Sequence, residues 1–129
     1  MTNGKANRQK GHNAERYFAG KFRDLGFDLC QTSRYGSRQL DDCKIDLINL
    51  PYNVQVKAGF QRGLNPSIVF KEMDELISEN LPKERPEHNY PKILIHRKQV
   101  GQGNTRTEYD DIVSMTFDDF VKIISKEEK

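Results

Sequence analysis

The chain has 129 residues, 35% of them hydrophobic and 31% charged, with a net charge of +2. That length suits one domain and leaves little room for two. No apolar run approaches the roughly 20 residues needed to cross a bilayer, the N-terminal MTNGKANRQKGHNAE has no apolar stretch behind its basic residues and is not a secretory signal, and a charge so near balance does not by itself name a nucleic-acid partner.

Residues 1–11, polar and carrying Gly4 and Gly11, are read as a flexible basic arm, and 12–129 as one domain. A helix is predicted from about Asn13 to Leu25, because Ala14, Tyr17, Phe18, Phe22 and Leu25 recur at helical spacing. Asn13 suits its start and Gly26 its stop. Phe27 to Thr32 reads as a short strand, and Ser33 to Cys43, rich in Ser, Gly, Arg and Asp, as a loop. Lys44 to Asn49 and Val54 to Ala58 read as the strands of a hairpin, with Pro51, Tyr52 and Asn53 as turn residues. Asn65 and Pro66 open a helix whose apolar face is Val69, Met73, Leu76 and Ile77.

Residues 80–90, with Pro82 and Pro86, read as a linker, and Ile93 to Ile95 as a central strand. Gly101 and Gly103 mark a turn, and Ile112 to Met115 another strand. Thr116 caps a last helix, with Asp118 and Asp119 in its first turn and Phe120, Ile123 and Ile124 facing inward. Helix, three strands, helix, two strands, helix predicts an α/β fold: a mixed central sheet of about five strands flanked by helices.

The hairpin carries the chemistry. Side chains alternate along a strand, so Ile45 and Leu47 are expected to point one way and Asp46 the other. Val54, Val56 and Ala58 share one face of the partner strand, and Gln55 and Lys57 the opposite one. If the apolar sets face the core, Asp46, Gln55 and Lys57 emerge together. Mg²⁺ takes oxygen ligands and keeps several waters; Asp46, the Gln55 amide oxygen and the backbone carbonyl of Val56 suit it, and Lys57 suits an attacking water or phosphate charge. The plainer explanation is the polar face of an edge hairpin with Asp46 and Lys57 as a surface ion pair. Glu15, in a first helical turn, also has a plain explanation in the helix dipole.

Three basic clusters suit phosphate contacts: Lys5, Arg8 and Lys10 in the arm, Arg34 and Arg38 around Tyr35, and Arg97, Lys98 and Arg106 around the Gly-rich segment. Solvated loops account for any one of them. His12, His88 and His96 share no metal-ligand spacing, though His12 lies near Glu15; the two cysteines, Cys30 and Cys43, match none either. The chain is read as cytoplasmic with both thiols reduced.

KGHNAERYFAGKFRDLGFDL, then RYGSR, then KIDLI, then VQVKA resembles the PD-(D/E)XK nuclease superfamily, and within it the archaeal-type and phage Holliday junction resolvases. Lys10-Gly11, Glu15-Arg16, Gly26-Phe27, Ser37, Asp46 and Lys57 fall in the family's order, over about residues 10–58. The resemblance implies a restriction-endonuclease-like fold and a Mg²⁺-dependent endonuclease, with Mn²⁺ as a substitute. Its catalytic residues would be Glu15, Asp46, Gln55 and Lys57, with Glu15, Asp46, Gln55 and the Val56 carbonyl near the metal. DNA contacts would come from Lys5, Arg8, Lys10, His12, Arg16, Arg34, Tyr35, Ser37 and Arg38. It also implies branched DNA as substrate and a homodimer, since a four-way junction needs paired incisions, and it leaves a phage or prophage source open.

Gln55 departs from the pattern, standing where the family usually has Glu or Asp. Two carboxylates and one ammonium leave the site at −1, where a third carboxylate would give −2. A non-catalytic DNA-binding module retaining the nuclease fold, or an interaction protein with Asp46 and Lys57 as surface charges, are the rival readings.

Overall fold

The computed structural model describes residues 4–100 and 108–127. The apolar spacing around Ala14 and Phe18 does build a helix, α1, but it runs Gly4–Asp24. The segment read as an arm is therefore helical from Gly4, since Lys, Ala, Arg and Gln sustain a helix well. Asn13 is not a cap: it lies inside α1, where its Oδ1 accepts from Gln9 Nε2 at 3.2 Å and from Arg16 Nη2. Gly26, with φ of 110°, ends the turn after α1 as expected.

The remaining elements are β1 (Gln31–Thr32), α2 (Ser33–Gly36), α3 (Arg38–Asp41), β2 (Leu47–Ile48), β3 (Asn53–Ala58), α4 (Pro66–Asn80), a 3-10 turn at Pro86–Asn89, β4 (Lys92–Val100), β5 (Glu108–Ser114) and α5 (Phe117–Glu127). They form the expected mixed α/β fold, a five-stranded sheet in the order β1-β2-β3-β4-β5. β3 and β4 run parallel, with α4 as their crossover, and the other neighbours are antiparallel. α4 begins where Asn65 and Pro66 indicate, the Asn65 side chain accepting from Ser67 N at 3.0 Å. Thr116 caps α5 by accepting from Asp119 N at 3.1 Å.

The two faces of the sheet are covered by different helices. Val54, Val56, Ile93 and Ile95 pack against Ala14, Phe18 and Ala19 of α1, with Ile123 of α5 alongside. Leu94 packs on the opposite face with Phe70, Met73 and Ile77 of α4, together with Leu40, Cys43 and Ile45. Each fully buried Val, Leu, Ile, Phe or Met side chain among them contributes about 1.5–3 kcal/mol. Lys92 fastens the helices to the start of β4: its Nζ lies 2.9 Å from Asp74 of α4 and 3.8 Å from the buried Asp119 of α5. Cys30 and Cys43 are buried and free.

Several expectations change. The predicted strands at 27–32 and 44–49 shrink to two residues each, and the predicted loop at 33–43 holds two short helices. Leu25 is exposed, and so are Phe120 and Ile124; of the three α5 residues expected to face inward, Ile123 packs against the core. Gly101, Gly103 and Arg106 lie outside the described residues, as does the side chain of Lys5. Among the described residues no helix is long and apolar enough to cross a membrane.

Candidate active site

The ladder between β2 and β3 breaks at Asp46. Leu47 is the register partner of Val54, yet the Asp46 N–H also reaches the Val54 carbonyl, at 2.7 Å. Two residues thus oppose one, the pattern of a β-bulge. Just before it, Lys44 takes a left-handed φ of 66° and turns the chain away. The bulge ends strict alternation: Ile45 enters the α4-side core and Leu47 the α1-side core, where the sequence pattern expects both on one face.

Side chains then replace the missing backbone partners. Asp46 Oδ2 accepts from Val56 N at 2.8 Å, and Gln55 Nε2 donates to the Lys44 carbonyl at 3.2 Å. That bond uses the amide N–H of Gln55 and leaves its Oε1 as acceptor. A strand residue's N–H and C=O point to the same side, so the Val56 carbonyl faces the gap that Asp46 fills. Gln55 and Lys57 share the face of β3 toward α4 and line one groove of about 230 Å³.

Glu15 approaches from α1. It is buried, and Arg34 of α2 donates Nη2 to both its oxygens, at 3.2 and 3.4 Å. Burial raises the Glu15 pKa, while the charge and hydrogen bond of Arg34, and then the charge of His12, act against that rise. Asp46 is half-buried. Burial first, then the Glu15 charge, push its pKa up to about 7; the Val56 N–H opposes this, Asp41 adds to it and Lys57 opposes it. The structure thus brings Glu15 and Lys57 each within electrostatic reach of Asp46, and ties Gln55 to the Lys44 carbonyl two residues before Asp46.

Asp41 is the residue that sequence reasoning missed. It accepts from Ser33 Oγ at 3.2 Å, and its charge raises both Glu15 and Asp46. The only signal for it was an acidic residue shortly before Asp46.

The expected DNA contacts divide. Arg8, Arg16, Tyr35 and Arg38 are exposed, as is Lys10, while His12 is half-buried. Arg34 is occupied by Glu15, and Ser37 caps α3 by accepting from Leu40 N at 3.2 Å. Arg97 belongs to β4 rather than to a loop, and pairs with Asp111 at 3.0 Å.

The donors suit a hard divalent cation only in part. Asp46, Gln55 and Val56 offer carboxylate, amide and carbonyl oxygens, the donor types of Mg²⁺ chemistry, from the bulge and the strand beside it. Among the described residues, however, no group of three or more His, Cys, Asp or Glu side chains is arranged to hold a metal. A cation here would depend on Asp46, the Val56 carbonyl, Gln55 Oε1 and water. No family model matches the chain, and no curated protein or solved structure matches it either.

Proposed function

We propose that this protein is a metal-dependent DNA endonuclease acting on branched DNA such as a four-way junction, with Mg²⁺ or Mn²⁺ as cofactor. One observation carries the reading: Asp46 is a half-buried carboxylate on a β-bulge, raised to about 7 by burial and by Glu15, within reach of the Lys57 charge. Carboxylates crowded in a half-buried place are unfavourable on their own and are relieved by a cation. When bound, Mg²⁺ supplies Lewis acidity at the scissile phosphate.

The chain's own groups do the rest. Asp46, Gln55 and the Val56 carbonyl offer oxygens, and Arg34 counters the effect of burial on Glu15. The Lys57 ammonium offsets charge that develops on the phosphate. Tyr35 and Arg38, both exposed, grip the backbone and position the substrate. A homodimer, giving two linked sites, is part of the reading; exposed Ile112, Val113, Phe117 and Val121 on β5 and α5 support it. The cytoplasm is its expected place of work.

A DNA-binding module without catalysis is the second reading, favoured by Gln55 and by the absence of a three-ligand acidic group among the described residues. Labelled four-way junction and linear duplex, incubated with Mg²⁺, Mn²⁺ or EDTA, separate the two. Metal-dependent cleavage lost in Asp46→Asn and Lys57→Ala, with binding retained, supports the enzyme. Tight binding without cleavage under either metal supports the module.

A further inference from the structure

A cavity of about 520 Å³ opens between α1 and the ends of β3, β4 and β5, on the far side of the β3 tip from Gln55. Ala14 and Ala58 make part of its lining apolar, Tyr17 and Tyr109 add aromatic rings, and Lys10 and Arg97 add cations. Arg97 is held in place. Its guanidinium lies 3.9 Å from the Tyr17 ring centroid and 4.0 Å from that of Tyr109, and it donates to Asp111 at 3.0 Å. Lys10 lies along Gly59, where a Cβ would stand 3.1 Å from its Cδ and the φ of +80° also disfavours any side chain. Lys10 is exposed, so its ammonium is open to an anion.

This cavity does not stand alone. A second one of about 250 Å³ shares Lys10, Ala58 and Gly59 with it and adds Phe60 and Gln61. The groove of about 230 Å³ that holds Gln55 and Lys57 shares Gln61 in turn. Through these common residues the three lie one after another around the tip of β3, a trough in outline from Lys57 to Tyr109. Phe60, 82% exposed, stands midway along it. Among the described residues the first two cavities are lined by Lys10 and Arg97 and by no carboxylate, while Glu72 lines the third.

We propose that this trough binds a single DNA strand beside the cleavage site, with an unstacked nucleotide over Phe60 and its phosphate on Lys10. Paired bases hide their faces in the duplex, whereas an unpaired base offers a π-face to an exposed aromatic ring, and a cationic groove tracks the backbone. The 520 Å³ cavity falls within the usual range for small-ligand sites, about 300–1,000 Å³. It also lies outside the carboxyl end of parallel β3, where ligands of α/β sheets commonly sit. The direction of the strand rests on the nuclease reading, because Lys57 is taken as the cleavage end; the binding itself does not.

The test uses the full chain in EDTA, so that nothing is cut. Fluorescence anisotropy compares a labelled oligothymidylate of about ten nucleotides with a blunt duplex and with inorganic polyphosphate, for wild type, Phe60→Ala and Lys10→Gln. Oligothymidylate binding is expected to weaken about fivefold or more in Phe60→Ala, with polyphosphate and duplex binding and the melting temperature unchanged. In Lys10→Gln the log–log salt slope is expected to shrink by about 0.7. Three results overturn the proposal: wild type that does not bind oligothymidylate, binding that neither variant changes, or a Phe60→Ala loss equally large for polyphosphate. Junction cleavage in Mg²⁺, assayed separately, tells the two readings apart. A wild type that binds oligothymidylate through Phe60 and Lys10 but never cleaves sinks the nuclease and leaves the trough; cleavage with variant-insensitive binding does the reverse.

Discussion

β4 and β5 share an unbroken register from Leu94–Ser114 to Val100–Glu108, whereas β2 meets β3 through Leu47–Val54 and then bulges. In the first region the backbone satisfies itself, and side chains are free to pack or to face water. In the second, a carboxylate and an amide do the backbone's work, at Val56 N–H and at the Lys44 carbonyl. A broken ladder leaves polar groups facing one another in a half-buried place, where charges interact strongly. The regular region and the two helices that sandwich β3 and β4 hold that place in shape.

The largest expected effect breaks the comparison at the bulge. Asp46→Asn keeps an acceptor for Val56 N–H but removes the negative charge, and junction cleavage in Mg²⁺ should fall by about 100- to 1,000-fold, as single-turnover rates would reveal. The same variant should be more stable than wild type above neutral pH. Below the unfolded value of 3.8 Asp46 is protonated in both states and contributes no penalty. As pH rises toward about 7 the unfolded chain ionises first, so folded stability drops, and above that the full penalty remains. Its size is on the order of 2–4 kcal/mol, so urea unfolding in EDTA should separate Asp46→Asn from wild type at pH 8 and not below pH 4. A gap of equal size at both pH values would refute this account of Asp46.

Gln55→Glu sharpens the comparison. It adds a charge for a cation, and Mg²⁺ binding by calorimetry should tighten about tenfold, roughly 1.4 kcal/mol. It also removes the N–H that meets the Lys44 carbonyl, and stability without metal should drop by about 1 kcal/mol. Unchanged metal affinity would count against Gln55 as a ligand. Arg34→Ala leaves buried Glu15 without its cation, and the acidic limb of the cleavage profile should move to higher pH. The smallest effect belongs to the regular region. Val113→Lys, on the exposed edge strand, should alter monomer stability by no more than about 0.5 kcal/mol, while sedimentation equilibrium should show a weaker dimer if β5 is the contact.

The fold was legible where a local rule and the tertiary outcome agree. Asn65-Pro66 and Thr116 start helices because a cap needs only its own next residues. Lys57 shares a face with Gln55 because β3 is a regular strand. The start of α1 was misread because Asn13 suits a cap as well as a helix interior, and α2 and α3 were missed because four-residue helices carry no periodicity.

By itself, then, the sequence determined the order of the longer elements, the mixed sheet, and Gln55 and Lys57 on one face of a strand. Those follow from periods of two and of about 3.6 that any local stretch displays. Only the tertiary structure decided that Asp46 lies on a bulge, that Arg34 binds Glu15 rather than standing free, and that Asp41 joins their field. Each of those depends on groups far apart in sequence meeting in a medium that water only partly enters. Burial and proximity set the strength of a charge there, and neither can be read from spacing along the chain.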